Sequence, residues 1–246
     1  MAWDTSVTRR TFGICCAGLA AGNAFPQETE NRLTDAERRD GWELLFDGAT
    51  TKGWQEITGK PFPLHCWTIA DRCLKALVRT DGFQDIGTVE TFRSFDLRFD
   101  WKLLERGNSG VKYKIQKVDE WVNAEGRQAR ARGLEYQLAD DQDPDAASDP
   151  RRVAGSLYSV IAPSPRVPPR IGAFNESRIL VVGKHVEHWL NGERVVSFDT
   201  DAADVVKQLR ANLATDDHGP VHEEGPISLQ NHSSETWFRN IRIQRL

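Results

Sequence analysis

No stretch of the 246-residue chain approaches the roughly 18 consecutive apolar residues of a bilayer-spanning helix, which excludes a membrane span of that kind. No basic patch advertises nucleic acid either. Lys and Arg number 32 against 36 Asp and Glu, for a formal charge of -4, and both signs are spread along the chain. Glycine-rich phosphate loops, the Gly-x-Ser-x-Gly elbow and the His-Glu-x-x-His zinc helix are absent, as are internal repeats and low-complexity tracts. Cysteine is scarce: four residues, none in Cys-x-x-Cys spacing. Large aromatics are present in number, with eight Trp and eleven Phe, so the chain can build a substantial core and is not a disordered one.

At the N-terminus, Thr8-Arg9-Arg10-Thr11-Phe12 precedes an apolar run from Gly13 to Ala21 and small residues at Gly22 and Ala24. A charged start, a short apolar stretch and a small-x-small ending predict a twin-arginine-like signal peptide over 1–24, with Gly13 where that pattern usually has Leu. A linker over 25–39 and one domain over 40–246 follow, and the expected location is periplasmic or secreted. Cleavage leaves Cys66 and Cys73, flanking a hairpin that turns near Asp71-Arg72. Cys73 then pairs with Ala70, and Cys66 lies about 13 Å further along at roughly 3.3 Å per residue, too far for a disulfide. Two unpaired thiols are expected.

The dominant period is two. Phe95, Leu97, Phe99, Trp101 and Leu103 alternate with Asp96, Arg98, Asp100 and Lys102, a pattern no helix can use. Val111, Tyr113 and Ile115 alternate with Lys112 and Lys114, and Leu134, Tyr136 and Leu138 with Glu135 and Gln137. Further strands are expected over 179–182, 185–190, 194–198, 227–232 and 237–243. Asn191-Gly192 reads as a type I′ hairpin turn, and Gly107-Asn108-Ser109-Gly110 as a tight connection. Short helical turns are expected after Ala36 and near Ala202 to Arg210, and proline-bearing loops over 140–152 and 162–172. The fold class is all-β, a two-sheet antiparallel jelly-roll sandwich.

Seven ordered motifs carry a resemblance. They are Leu45-Phe46-Asp47-Gly48 with Gly53-Trp54, Gly107-Asn108-Ser109-Gly110-Val111, Gly133-Leu134-Glu135-Tyr136-Gln137, Gly155-Ser156-Leu157-Tyr158, His188-Trp189-Leu190-Asn191-Gly192, Gly225-Pro226-Ile227-Ser228-Leu229-Gln230, and Phe238-Arg239-Asn240-Ile241. Together they resemble the 3-keto-disaccharide hydrolase family, with its concanavalin A-like jelly roll, over about residues 40–246. Two departures stand out. Phe174-Asn175 replaces the family's Trp-Asn, and Asn231 stands where the family has an Asp between its Gln and His.

The resemblance implies cleavage of 3-keto-glycosides. A ketone at C3 acidifies the C2 proton, so a base can remove it, the aglycone at C1 can leave, and water can add. Such a site needs a base near C2 and an electrophile near O3. Alternation turns Lys102, Asp100, Lys112, Glu135, Gln137, Gln230 and His232 away from the apolar faces of their strands. Glu135 is the leading base, with Lys112, Gln137 and His188 as further catalytic candidates. Lys102, Asp100, Gln230 and His232, with the motif residues Asn108, Tyr158 and Arg239, form the expected substrate-binding set. A solvated sheet face would carry the same charges, and surface salt bridges are the competing use of Lys112 and Lys102. Trp54, Trp67, Trp121 and Tyr158 are candidate sugar platforms, against core packing for each Trp. His185 and His188 cannot share a metal, since positions three apart on a strand face oppositely. The loop around His218 and His222, with its acidic neighbours, suits a cation better, although a solvated acidic turn has the same composition; a divalent cation stays open as a cofactor. The partner expected is an oligosaccharide or glycoside, with no nucleic acid. A non-catalytic carbohydrate-binding module on the same fold is the alternative.

Overall fold

The computed structural model describes Met1 and residues 30–78, 81–213 and 222–246. The leader read over 1–24 (Met1 apart) and the His218 portion of the candidate cation loop lie outside these residues. Among the described residues, fourteen strands make two packed sheets. The eight-stranded sheet contains β1 (Trp42–Leu44), β3 (Trp67–Ala70), β4 (Cys73–Ala76), β7 (Phe95–Leu103), β10 (Asn175–Val182), β11 (His185–Leu190), β12 (Glu193–Asp199) and β14 (Thr236–Arg245). Its order is β12-β11-β10-β7-β14-β4-β3, with β1 also paired to β14. The six-stranded sheet contains β2 (Trp54–Glu56), β5 (Gly82–Gln84), β6 (Ile86–Thr88), β8 (Asn108–Asn123), β9 (Gly126–Ala139) and β13 (Ser228–Leu229), in the order β2-β6-β13-β8-β9-β5. Among these pairs only β5 and β9 run parallel, at the sheet edge. Among the described residues no helix is long and apolar enough to cross a membrane.

Alternation builds the core between the sheets. Phe95, Leu97, Phe99 and Trp101 from β7 are buried against Val111, Tyr113, Leu134 and Tyr136 from β8 and β9. Phe99 and Tyr136 meet edge to face at 5.8 Å between ring centres, a geometry that suits their quadrupoles. Both expected hairpins form. Asn191 and Gly192 have φ of 50° and 89°, and Asp71 and Arg72 have φ of 51° and 58°, the left-handed pairs a type I′ turn needs. Ala70 pairs with Cys73, and Cys66 and Cys73 are both unpaired and buried.

Several local expectations are corrected. Asn108, Ser109 and Gly110 are not a turn but the first residues of β8. The segment after Asp140 contains a short helix (Pro144–Ser148), whose first turn is capped by the Asp143 carboxylate. The hairpin of β8 and β9 extends far beyond its apolar part. Between Tyr113 and Lys117 the register slips, so three residues of β8 stand opposite Gly133. Lys114 takes φ of 47° there, and its buried ammonium is tied to the Glu223 carbonyl at 3.0 Å. A Cβ on Gly133 would stand 2.7 Å from the Tyr113 carbonyl oxygen, so the bulge demands glycine opposite it.

Candidate active site

The outer face of the six-stranded sheet collects most of the expected catalytic group. Gly110 pairs with Gln137, and Lys112 with Glu135, across β8 and β9. Ser228 of β13 pairs with Lys112 on the other side, and the Gln230 N–H donates to the Gly110 carbonyl at 2.9 Å. Directly paired residues on one face have Cβ atoms about 4.5–5.5 Å apart, which puts Glu135 beside Lys112. The Glu135 carboxyl leans over Gly110, where a Cβ would collide with its Oε1. A Cβ at 110 would therefore push the Glu135 carboxyl from this position, while Gly110 itself forms no turn.

Beneath this pair lies Asp85, which the sequence reading did not single out. It occupies the step between β5 and β6 and is fully buried. Its Oδ2 accepts from Lys112 Nζ at 2.9 Å and from the Ala131 N–H at 3.0 Å, and its Oδ1 from the Asn231 N–H at 3.2 Å. Lys112 and Asp85 are thus a fully desolvated ion pair, with side chains only 2% and 0% exposed. Breaking such a pair from one side leaves a buried charge and costs about 3–5 kcal/mol. The only local signal was one acid between Gln84 and Ile86; its partners come from distant strands.

Burial pushes the Glu135 carboxyl upward; Lys112 opposes the shift and Asp85 adds to it. Arg130, also overlooked, lowers it in turn. Its guanidinium lies 5.1 Å from the Phe83 ring centre and 5.7 Å from that of Trp121, a half-buried hairpin residue. His232 keeps exposed surface, yet its imidazole is pushed below the usual range, first by burial and then by the charges of Arg130 and Lys112. Gln137 is buried, and its Nε2 donates to Asn108 Oδ1 at 3.2 Å; Asn108 in turn donates to Asp143 at 3.0 Å. Tyr158 N–H donates to the Glu135 carbonyl at 3.0 Å, while its hydroxyl donates to Asp145 at 2.7 Å. A cavity of about 60 Å³ adjoins Glu135 and Tyr158, room for water rather than for a sugar ring.

Asn231 accounts for its own departure from the family pattern. Its Nδ2 donates to the Cys66 carbonyl at 2.9 Å and the Leu77 carbonyl at 3.3 Å, which a carboxylate cannot do.

Four expected residues are elsewhere. His188, expected among the catalytic residues, lies in the core instead of on this face, since β11 turns Val186, His188 and Leu190 inward together. The Tyr113 hydroxyl meets its Nε2 at 2.7 Å and the Gly155 carbonyl its Nδ1 at 3.1 Å, so a neutral ring protonated on Nδ1 satisfies both. Burial drives His188 down to about 4. Lys102, Asp100 and Arg239 point from the outer face of the eight-stranded sheet. Lys102 stands over the Trp237 ring at 4.3 Å, and Arg239 over Phe174 at 3.8 Å. Asp100 accepts from Asn240 Nδ2 at 2.7 Å. Trp54 and Trp67 are core residues, 4% and 0% exposed.

Among the described residues, no three His, Cys, Asp or Glu side chains come together in a way that could hold a metal ion. What the six-stranded face offers is one carboxyl of raised pKa, one ammonium fixed by a buried counter-charge, and amides and an imidazole beside them. That is equipment for moving a proton next to a developing negative charge.

The chain shares this architecture with carbohydrate-active proteins. A 3-keto-disaccharide hydrolase of Bacteroides thetaiotaomicron is 31% identical over 230 residues, covering 84% of this chain and 79% of that protein. A crystal structure from Parabacteroides distasonis, assigned provisionally as a glycosyl hydrolase, superposes with a TM-score of 0.73 at 29% identity, over 88% of this chain and 99% of the other. A second structure from that organism, with the same provisional assignment, shares the fold at a TM-score of 0.57 and 24% identity, over 78% of this chain and 99% of the other. Residues 41–244 match the family described as the 3-keto-alpha-glucoside-1,2-lyase-like domain, and the chain belongs to that family of hydrolytic and lytic enzymes.

Proposed function

We propose that the protein cleaves 3-keto-glycosides on the outer face of its six-stranded sheet, by elimination and hydration, after export through the leader read over 1–24. The observation that carries this reading is the Glu135 carboxyl, raised by burial and held over Gly110 beside Lys112. Glu135 takes the proton from C2 of the keto sugar, and the C2–H electron pair forms the enolate. The Lys112 ammonium, anchored on Asp85 at 2.9 Å, stabilises the oxygen at C3. Collapse of the enolate breaks the C1–O bond, and the departing oxygen takes a proton from solvent, which the water that adds at C1 later gives back. Water then adds at C1, and the proton held by Glu135 can return to C2. No oxidant is consumed. The amides of Gln137, Asn108 and Gln230, with His232 and Tyr158, border this centre and supply hydrogen bonds for sugar hydroxyls.

The test is turnover of a 3-keto-glucoside and of its unoxidised parent by purified protein, with and without a chelator. Cleavage of the keto sugar alone is expected. Cleavage of both would mean an ordinary glycosidase and remove Glu135 as the C2 base. Binding without turnover of either would favour the binding-module reading. Chelator sensitivity would add a cation that the described residues alone do not assemble.

A further inference from the structure

A second concave site opens on the opposite side of the molecule. The outer face of the eight-stranded sheet holds a cavity of about 440 Å³, bordered by Asp100, Glu176, Arg178, Trp189, Asn240 and Arg242. Ligand pockets commonly fall between about 300 and 1,000 Å³.

Its polar groups are fixed in advance. Asp96, only 4% exposed, accepts from Arg178 Nε at 2.8 Å and from Arg98 at 3.0 Å, so one buried carboxylate orients two guanidinium groups. Arg98 also lies 4.5 Å from the Trp42 ring centre. Trp189 is half-buried, its Nε1–H donating to Glu187 at 2.9 Å and the Arg178 guanidinium lying 5.5 Å from its ring centre. The register of β14 shifts between Arg239 and Arg242, and Asn240 takes φ of 52° there, an irregularity that re-aims side chains where strands meet a ligand. Asn240 holds Asp100 on one wall, and Glu176 is exposed on the other.

The charge balance indicates what would bind. Arg98, Arg178 and Arg242 face Asp100 and Glu176 across the cavity, Asp96 behind it pairs with Arg98 and Arg178, and Arg242 also pairs with Glu37 at 3.0 Å. Neither sign dominates, so the cavity is not built for an anion or a cation. Rigid donors and acceptors around an indole match a neutral ligand rich in hydroxyl groups. Glu135 lies on the far side of both sheets, and packed sheets stand about 10 Å apart, so a sugar in this cavity cannot reach it.

We propose that this cavity is a non-catalytic binding site for neutral oligosaccharide, with Trp189 as platform and Arg178, Asp100 and Glu176 as hydrogen-bonding partners. It would hold a carbohydrate chain on the face opposite the reaction. The inference stands independently of the chemistry assigned to Glu135.

The test uses full-length Glu135→Gln protein, titrated with unoxidised gluco-, galacto- and manno-tetrasaccharides. Tryptophan fluorescence and saturation-transfer NMR are followed, with a melt to confirm folding of each variant. Saturable binding of at least one tetrasaccharide is expected, weakened at least tenfold by Trp189→Ala and by Arg178→Ala, and partly restored by Trp189→Phe. Four results would overturn the proposal: no saturable binding across the panel, binding that Trp189→Ala leaves unchanged, displacement of the sugar by millimolar sulfate, or a dimer in sedimentation that Trp189→Ala dissociates.

Discussion

Glu135 keeps its proton to higher pH than an exposed glutamate because burial outweighs the attraction of Lys112. Over the window between the ordinary and the raised value, the folded chain binds a proton that the unfolded chain has released. Stability from this group is therefore present at low pH and lost as pH rises through the folded value. Glu135→Gln removes that liability together with the proposed base. We expect turnover to fall about 10²–10⁴-fold while stability at neutral pH rises, read from kcat and from thermal melting. A variant that keeps its turnover would place the base elsewhere. At this scale the sequence showed which side chains leave the apolar face of a strand, but not on which of two outer faces they arrive. Asp100, Lys102 and Arg239 stand on the outer face opposite Glu135. The core position of His188 had a usable signal, the inward partners Val186 and Leu190 two residues to either side.

The hairpin of β8 and β9 sets the geometry of the site. Its apolar half was legible as alternating residues, whereas the outer half carries charged residues on both faces and no hydrophobic period. Val122 is 78% exposed, for example. The bulge at Lys114 was equally hidden, since only a glycine opposite it betrays the crowding. Gly133→Ala would drive a methyl group against the carbonyls of Tyr113 and Lys114, at 2.7 and 2.9 Å. Backbone atoms cannot move aside as a flexible side chain can. A loss of about 1–3 kcal/mol is expected in urea unfolding. Turnover should fall as well, because Glu135 lies two residues further along the strand.

Tyr113 of one sheet and His188 of the other close the sandwich through a buried hydrogen bond. The His188 value near 4 against an ordinary 6.5 means that the unfolded chain binds the extra proton across that interval. Stability from this pair is complete above about 6.5 and is lost as pH falls towards 4, by about 3 kcal/mol in all at 1.36 kcal/mol per unit. Melting temperature should decline across this window, and more steeply in Glu135→Gln, which lacks the opposing contribution. A flat profile would show that the imidazole is not neutral in the core. The overall architecture was the most legible level, because period-two patterning specifies strands and turn residues space them. The added parallel edge of β5 on β9 was not, since nothing local distinguishes it.

Asp85 gathers its three donors from Lys112, Ala131 and Asn231, which lie 27, 46 and 146 positions away along the chain. Contacts this distant in sequence close slowly, because chain entropy is lost before they form. Lys112 meets its counter-charge within 27 positions, but the Asp85 carboxylate gains its last donor only when the segment around Asn231 docks. In refolding from denaturant, catalytic competence should return after the far-ultraviolet sheet signal and together with tryptophan burial. A chain arrested before β13 docks would be ordered in much of its backbone and inert.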